Sequence, residues 1–272
     1  MDHIPSSHPR AESLRVRQKI VEGMEAKVVT KAGLFAHGRG EAFDYLMGEK
    51  TLPSAVEAME AAVAMLLVAT HPVISINGNA AALVPEAIVQ LGAATGAKLE
   101  VNLFYREPGR EAVIERVLRA AGATEILGLG DIPAATLSNL ESNRRIVDPR
   151  GIAIADVVLV PLEDGDRTEA LRKAGKKIIA IDLNPMSRTA QCAHVTICDN
   201  LTRCVPRMVE IARSFKAGKN RTELDAIIAR HDNARVLSAT IKEIIAYLSK
   251  VADKGVFLEI PAARDPARDP PP

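Results

Sequence analysis

The chain has 272 residues, which predicts one large domain or two small ones. Its 35 Lys and Arg residues nearly balance 34 Asp and Glu residues, so the net charge is +1 and a nucleic-acid-binding protein is disfavoured. Hydrophobic residues make up 47% of the chain, too many for a disordered protein. The polar N-terminus and the short apolar runs lead us to expect a cytoplasmic protein with neither nucleic-acid nor membrane partners.

Helices are predicted for the first 70 residues. Residues 12–25 have apolar residues at helical spacing, whereas four glycines punctuate residues 33–48 and predict loop mixed with short helix. Pro53 begins a long helix to about Thr70, in which Ser54 and Glu57 have the spacing of a capping box.

From residue 71 onwards, short apolar strands alternate with helices. We predict helices at 80–95, 111–121 and 168–173, and strands at 73–76, 98–103, 125–127, 156–162, 177–181 and 194–197. The fourth strand is almost entirely apolar, as in strands covered on both faces. This alternation predicts an α/β fold with a parallel sheet flanked by helices.

The C-terminal part is again helical. One helix buries a face that contains Leu201, Val205 and Phe215, and a later helix has an apolar seam from Leu237 to Val251. That seam packs either on the sheet or on a second subunit, and the sequence leaves both open. We therefore expect a single domain at 1–256, with helical segments at about 1–70 and 201–252 around a core at about 71–200, and a disordered tail at 257–272.

Several common motifs are absent. The sequence has no P-loop, no HExxH and no GxSxG, and Pro133 occupies the third glycine position of the fingerprint that begins at Gly128. The three cysteines, Cys192, Cys198 and Cys204, have neither the number of a disulfide framework nor the spacing of a zinc site. We expect them to be reduced and mostly buried.

Polar residues follow four of the predicted strands, at the edge where open α/β sheets bind ligands. Asn77-Gly78-Asn79 precedes a helix and suits an anion, although a turn with a helix cap explains it equally well. Asp166 and Glu169 have capping-box spacing, which leaves Glu163 and Asp164 to hold Mg²⁺ or a substrate ammonium group.

The next two strand ends are also polar. Asp182 to Thr189 contains groups for ribose hydroxyls and phosphates, or an Asx turn closed by Pro185. Asp199-Asn200 begins a helix, so N-capping is its default interpretation. The N-terminal third is rich in cations that either converge on a polyanionic ligand or are solvated: His8, Arg10, Arg15, Arg17, Lys19, Lys31, His37 and Arg39.

Five long segments of the sequence resemble one enzyme family. They are IPSSHPR from Ile4, KAGLFAHGRGEAFDYLMGEKT from Lys31, HPVISINGNAAALVP from His71, ADVVLVPLEDGDRTEAL from Ala155 and IDLNPMSRTA from Ile181. In this order they resemble archaeal phosphopantothenate synthetase, the 4-phosphopantoate–β-alanine ligase, over nearly the whole chain. Thr189 stands where the family pattern has Ser, which keeps a hydroxyl group.

The resemblance implies a homodimer with a Rossmann-like core that joins 4-phosphopantoate to β-alanine in coenzyme A biosynthesis. ATP and Mg²⁺ would be used, and AMP and diphosphate released through an acyl-adenylate. A regulatory nucleotide-binding module, or another ATP-dependent enzyme on the same fold, is the alternative. The nucleotide-contacting positions of the family map onto Arg17, Arg39, Asp182, Leu183, Asn184, Arg188, Thr189, Asp199 and Asn200.

The remaining site assignments are our own inference. Arg39, Lys31 and His37 are the catalytic candidates. The phosphate of 4-phosphopantoate needs a cradle, for which we expect His8, Arg10, Lys31, Asn77, Gly78 and Asn79. Asp164 or Glu163 is expected to receive the ammonium group of β-alanine.

Overall fold

The structure is a computed structural model that describes residues 8, 10–104, 108–130, 135–136 and 143–255. The predicted tail at 257–272 lies outside these residues. No helix in the described ranges has both the length and the apolar character needed to cross a membrane.

A five-stranded parallel sheet forms the centre of the fold. The strands in chain order are β1 Pro72–Ile76, β2 Lys98–Val101, β3 Ala135–Thr136, β4 Ile146–Val147, β5 Val157–Pro161, β6 Lys177–Ile181 and β7 Val195–Ile197. The sheet has the order β2-β1-β5-β6-β7, and β3 pairs with β4 in a separate antiparallel ribbon. After β1 the chain forms β2 on one side of β1, and it later forms β5 on the other side. The topological switch point therefore lies between β1 and β5.

Helices cover both faces of the sheet and extend beyond it at both ends of the chain. Their bounds are α1 Ala11–Glu25, α2 Lys31–Met47, α3 Pro53–Val68, α4 Gly78–Leu83, α5 Pro85–Thr95, α6 Pro108–Ala120, α7 Gly165–Lys173, α8 Arg188–Cys192, α9 Leu201–Gly218, α10 Arg221–Arg230 and α11 Asn233–Lys254. The predicted α/β class, with a Rossmann-like parallel sheet flanked by helices, is confirmed.

Alternate residues of each central strand enter two separate cores. In β5, Val157 and Leu159 face the larger core, which α3, α5 and α9 close, whereas Val158 and Val160 face a smaller core against α7. All five residues of this strand are buried, which confirms the prediction made from its apolar run. Cys198 and Cys204 are buried, as predicted, and all three cysteines are free.

Several predicted elements differ from the structure. Residues 33–48 are not loop and short helix: all but Gly48 lie in the continuous helix α2, which Thr30 caps and Gly48 ends in a left-handed conformation. Two of the helical glycines make room for neighbouring side chains: a Cβ at Gly33 would lie 2.4 Å from Asn79 Oδ1, and a Cβ at Gly40 would lie 3.3 Å from Leu183. A Cβ at Gly38 would meet no other group within 4 Å.

The other differences concern helix ends and one strand. Pro85 divides the predicted helix 80–95 into α4 and α5. The predicted strand 125–127 is only an isolated bridge between Leu127 and Glu100. Ser54 does not cap α3; its hydroxyl instead donates to Glu243 of α11, 2.6 Å away.

The apolar seam of α11 packs mostly on its own chain. Leu237 is buried, and Ile244 packs beside it against Met47 and Leu183. Further along the helix, Leu248 is exposed. Of the two alternatives for the seam, packing within the chain therefore holds for its first half.

Candidate functional site

Helix α2 runs along the carboxyl ends of the sheet strands. Near its start, the carbonyl of Gly33 accepts a hydrogen bond from Asn79, which follows β1 (2.8 Å). In its middle, a Cβ at Gly40 would lie 3.3 Å from Leu183, which follows β6. Near its end, Asp44 accepts a hydrogen bond from Asn200, which follows β7 (3.0 Å). The helix therefore brings N-terminal residues to three strand ends.

A cleft opens at the switch point between β1 and β5, beside the start of α2. Its cavity volume is about 320 Å³, at the lower end of the range of small-molecule sites. We call it the switch-point cleft. Its lining residues are Thr30, Ala32, Gly33, Ala36, Arg39, Asn77, Gly78, Asn79, Leu103, Phe104, Arg110, Arg144, Leu162, Glu163 and Asp164.

The Asn77-Gly78-Asn79 segment joins elements of the cleft wall. Asn77 caps α4 by accepting from the Ala80 backbone N–H (3.0 Å), and its amide donates to the Pro161 carbonyl at the end of β5 (2.7 Å). A Cβ at Gly78 would lie 2.3 Å from the Val28 carbonyl, so only glycine permits this approach. The capping interpretation is thus correct for Asn77, and the same segment lines the cleft.

The chain turns sharply where β5 ends. Leu162 has a φ of 49°, in the left-handed region that branched side chains rarely adopt. Strain of this kind is concentrated at functional sites. The turn leads into Glu163 and Asp164, both of which line the cleft.

A buried cluster of charges lies behind the cleft. Glu163 forms ion pairs with both Arg144 and Arg167, and Arg167 also donates to Ser75 of β1 (3.0 Å). Arg167 is fully buried, and burial lowers its pKa to about 10. Asp164 caps α7 by accepting from the Arg167 N–H (2.8 Å), and its carboxylate lies 3.1 Å from Arg144. The capping box expected from Asp166 and Glu169 is therefore wrong.

The loop after β6 forms the middle of the carboxyl edge. Asp182 accepts from the Asn184 backbone N–H (2.9 Å) and from the Ser187 hydroxyl, so the Asx turn is present. Burial raises the pKa of Asp182, although these bonds and the charge of Arg39 oppose the shift. Thr189 donates to the Glu163 carbonyl (2.9 Å), and Arg188 pairs with Asp166 and Glu169 of α7.

The third strand end holds a satisfied ionic network, which we call the β7-end network. Asp199 is fully buried and accepts from Thr51 (2.7 Å) and Arg203 (2.7 Å). Arg203 also pairs with Asp44 at 2.6 Å. Burial alone would lower the pKa of the Arg203 guanidinium, but the carboxylates of Asp44 and Asp199 outweigh burial and raise it. Asn200 caps α9, as the default interpretation predicted.

A pocket beside this network is lined by Arg10 and His37, two of the N-terminal candidates. Glu41 accepts from Arg17 (2.8 Å) and from Arg10 (3.3 Å), and His8 accepts from the Arg10 backbone N–H (3.0 Å). His37 lines the same pocket, where burial lowers the pKa of its imidazole. Lys31 is exposed at the first position of α2 and is not among the residues that line the cleft.

The structure thus divides the predicted site residues among three places. Arg39, Asn77, Gly78, Asn79 and Asp164 share the switch-point cleft. His8 and Arg10, expected in the same phosphate cradle, lie with Glu41 at the other end of α2. The loop after β6 contains Asp182, Leu183, Asn184, Arg188 and Thr189, and lies between the two.

Two cleft arginines have no counterpart in the sequence prediction. Arg110 comes from α6 and donates to the Val28 carbonyl (3.1 Å), and Arg144 lies in a short 3-10 helix, Asn143–Arg145, before β4. Both line the cleft. Neither follows a strand of the main sheet or lies in a glycine-rich segment, so no local pattern indicated them.

The fold and the cleft define an α/β protein with its candidate ligand site at the switch point of an open parallel sheet. A family model described as phosphopantothenate/pantothenate synthetase matches residues 54–247. The 4-phosphopantoate–β-alanine ligase of Thermococcus kodakarensis is 52% identical over 258 residues, which are 94% of this chain and 98% of that protein. The protein of the same name from Methanosarcina mazei is 49% identical over 252 residues, 93% of this chain and 98% of its own length. The chain belongs to the phosphopantothenate/pantothenate synthetase family, which confirms the resemblance noted in the sequence.

Proposed function

We propose that this protein is an ATP-dependent ligase that condenses 4-phosphopantoate with β-alanine to 4'-phosphopantothenate in coenzyme A biosynthesis. The observation that carries the proposal is about 50% identity, over nearly the full length of both chains, to curated ligases of that name. The switch-point cleft supports it, because a site that combines arginines with an apolar wall suits a phosphorylated, methyl-branched acid.

The chemistry requires activation of a carboxylate, which is a poor electrophile. A carboxylate oxygen of 4-phosphopantoate attacks the α-phosphorus of ATP, and diphosphate leaves to give an acyl-adenylate. The amine of β-alanine, after loss of its ammonium proton, then attacks the acyl carbon and AMP leaves as the amide forms. Both partners of the first step are anionic, so oriented positive groups at the α-phosphate would supply the largest rate contribution.

Arg39 is our candidate for this contribution. It lines the switch-point cleft and its charge acts on Asp182, so it lies between the proposed acid site and the loop after β6. In that loop Asp182, Leu183 and Asn184 would hold the nucleoside, and Arg188 with Thr189 the phosphates.

The other assigned residues are not among those that line the cleft. Arg17 and Asn200 complete the nucleotide set implied by the family, whereas Asp199, its remaining member, is fully buried in the β7-end network and would act by holding that strand end in place. Lys31 and His37 are the other catalytic candidates; at pH 7 the lowered pKa of His37 favours the neutral imidazole, the form that accepts a proton.

Asp164 is our candidate for the ammonium group of β-alanine. Its side chain is 42% exposed at the cleft, whereas that of Glu163 is 2% exposed and pairs with two arginines. Asp164 pairs with Arg144 on one side, but its exposed oxygen can still bind an incoming cation, whereas Glu163 would have to leave two buried arginines.

Mg²⁺ is part of the proposal as the counterion of ATP. Among the described residues, no three His, Cys, Asp or Glu side chains are grouped to hold a metal ion. The donor set therefore does not fit a cage built by the protein alone, and we assign Mg²⁺ no protein ligand and no step. Such an ion commonly binds through substrate phosphates and few carboxylates.

A homodimer in the cytoplasm completes the proposal. Exposed apolar side chains on α2 and α11, Phe35, Leu46, Ile245 and Leu248, support a surface for a second copy of the chain. Light scattering should give about twice the mass of one chain, and Phe35→Ser should shift the mass towards the monomer. A monomeric wild-type protein at micromolar concentration would contradict this part of the proposal.

The activity is tested with purified protein, ATP, Mg²⁺, 4-phosphopantoate and β-alanine, with the adenine nucleotide product measured. We expect AMP only when both acid and amine are present, apart from a single-turnover burst without the amine. ADP as the product would instead indicate an acyl-phosphate. ATP binding with no nucleotide product would favour a regulatory module.

A further inference from the structure

One carboxylate of α2 joins three side chains from the start of α1 and the residue before it. The side chain of Glu41, on α2, is only 17% exposed. Its Oε1 accepts hydrogen bonds from Arg17 (2.8 Å), Ser13 (3.1 Å) and Arg10 (3.3 Å). Ser13 and Arg17 are four residues apart and so lie on the same side of α1. The contact between Glu41 and Arg17 therefore belongs to a network, unlike an isolated ion pair at the surface.

The carboxyl group of Glu41 is ionised at neutral pH. Burial alone would raise its pKa, but the hydrogen bonds from Arg17 and Ser13 outweigh burial and lower it. An ionised acceptor forms shorter and stronger hydrogen bonds than a neutral one. Glu41 can therefore hold the guanidinium group of Arg17 in one orientation.

Arg17 keeps most of its own donors for a ligand. Its Nη2 bonds to Glu41, whereas its Nε and Nη1 have no hydrogen bond to any residue in the described ranges. The side chain is 48% exposed, so these donors are open to a molecule that approaches from solvent. Because a guanidinium group is a rigid fork, fixing one side of it aims the other. A preorganised arginine also loses less side-chain freedom when it binds a ligand.

The same part of α2 holds a second residue of the proposed nucleotide set. Asp44, one turn after Glu41, accepts a hydrogen bond from Asn200 (3.0 Å). Glu41, Asp44 and Asn200 line one small cavity of about 110 Å³, together with His37. The positive charge of Arg17 lies near enough to help lower the pKa of His37. Acidic residues of α2 thus bring together groups from α1 and from the loop after β7.

We propose that Glu41 is a positioning residue of the ligase, which orients the guanidinium group of Arg17 towards ATP. The carboxylate contacts no reacting atom and acts only through Arg17. Because Arg39 of the same helix lines the switch-point cleft, α2 places two arginines at the nucleotide, Arg39 directly and Arg17 through Glu41. The inference rests on the proposed function, in which Arg17 contacts ATP.

A double-mutant cycle on the two residues tests this inference. Steady-state kinetics give kcat and the KM values for ATP and β-alanine in wild-type protein, Arg17→Gln, Glu41→Gln and the double variant. The KM for ATP should rise about tenfold or more in Arg17→Gln and about fivefold in Glu41→Gln. The double variant should be no worse than Arg17→Gln, because Glu41 then has no arginine to orient. The KM for β-alanine should change less than about twofold throughout.

Two further variants control for charge and fold. Glu115→Gln also removes a carboxylate from an arginine, Arg119, but in an exposed pair on α6, and it should match wild-type protein. Glu41→Asp keeps the charge but withdraws the carboxylate by one methylene group, and its KM for ATP should rise less than that of Glu41→Gln. If thermal melting shows that Glu41→Gln does not fold, the cycle is measured with Glu41→Asp instead.

Equilibrium binding of ATP without acid or amine gives the same cycle with no turnover, and its Kd values should follow the KM values. Additive losses in the double variant, or an equal rise of the KM for β-alanine, would overturn the positioning role. So would an unchanged or lower KM for ATP in folded Glu41→Gln, the lower value showing that Glu41 competes with ATP for Arg17. An unchanged KM for ATP in Arg17→Gln would also overturn it, while leaving the ligase activity standing. Absence of AMP formation by wild-type protein would instead overturn the proposed function.

Discussion

The two ends of the carboxyl edge of this sheet handle buried charge in opposite ways. At the β7 end, Arg203 lies between Asp44 and Asp199, and Thr51 and Asn200 add hydrogen bonds to those carboxylates. At the switch point, Arg144 and Arg167 share Glu163 and retain donors with no described partner. The first is a network satisfied by its own side chains, whereas the second keeps buried donors with no partner among the described residues.

The difference separates structural charges from ligand-binding charges. A satisfied buried network joins elements, and removing one member leaves an uncompensated charge. An unsatisfied cluster beside a cleft reduces stability until a ligand binds. We therefore expect substitutions at the β7 end to act mainly on folding and those near the switch point mainly on substrate handling.

The largest expected effect is on stability at the β7 end. Asp199→Ala removes one of two carboxylates from Arg203 and leaves Thr51 without its acceptor, so the free energy of unfolding should fall by about 3–5 kcal/mol. Urea unfolding measures this, with Asp225→Ala as control because Asp225 pairs with Arg221 at the surface. A loss below about 1 kcal/mol would show that the network is not structural.

The second prediction concerns Glu100, which lies behind the switch point near Arg167. Burial raises the pKa of Glu100 from 4.5 to about 7, although two backbone N–H groups, of Ile152 and Asp148, oppose the shift. The folded state therefore holds this proton more tightly than the unfolded state, and stability is lost as pH rises from about 4.5 to 7. The loss is at most about 3 kcal/mol and is constant above that range.

Glu100→Gln removes the titrating carboxyl group and so isolates its contribution to the pH dependence of stability. The unfolding free energy of wild-type protein minus that of the variant should fall by up to about 3 kcal/mol as the pH rises from 4.5 to 7. Urea midpoints at four pH values in this range measure it, with the exposed Glu125→Gln as control. A difference that is independent of pH would mean that Glu100 is ionised at low pH and belongs to a satisfied cluster.

The third prediction concerns Arg39 in the switch-point cleft. Arg39→Lys keeps a positive charge but loses the planar fork that holds two phosphate oxygens. If Arg39 acts on charge that develops in the transition state, kcat should fall about 100-fold while the KM for ATP changes little. Steady-state kinetics, with the exposed Arg116→Lys as control, measure both constants.

Other outcomes for Arg39 have distinct meanings. A raised KM with unchanged kcat would place Arg39 on ground-state ATP. Near wild-type values of both constants would remove it from the site. In either case the melting temperature should not change, because Arg39 is exposed.

The sequence predicted the sheet because its strands are short, apolar and separated by helices with clear ends. It failed for α2, where Gly33 and Gly40 leave the room that Asn79 and Leu183 occupy. Such contacts join residues about 45 or 140 positions apart, and no local pattern contains them. The polar strand ends were recognisable once the strands were predicted, and those after β1 and β5 line the switch-point cleft.

The sequence could not predict that the candidate site residues would be divided among three places. His8 and Arg10 precede the cleft segments in a continuous cationic region, yet α2 is about 25 Å long at 1.5 Å per residue, and its two ends serve different strand ends. Arg144 was missed because it lies outside the strand–helix alternation. Its place in the cleft wall, beside the Glu163–Arg167 pair, follows only from the packed structure.

The smallest expected effect is at Asp182, which lies between the β7 end and the switch point. Its variants test whether its carboxylate is structural, as at the β7 end, or binds a ligand. Its carboxylate already accepts from Asn184 and Ser187, as in a structural turn, but burial raises its pKa and Arg39 lies near enough to act on it. If it also accepts hydrogen bonds from the nucleoside, Asp182→Ala should raise the KM for ATP about 10- to 100-fold, from loss of roughly 1.5–3 kcal/mol. Asp182→Asn, which keeps an oxygen for the Asn184 N–H, separates the two roles: it should preserve the melting temperature while still raising the KM. If ATP kinetics are unchanged in a folded Asp182→Ala variant, Asp182 belongs with the structural charges of the β7 end.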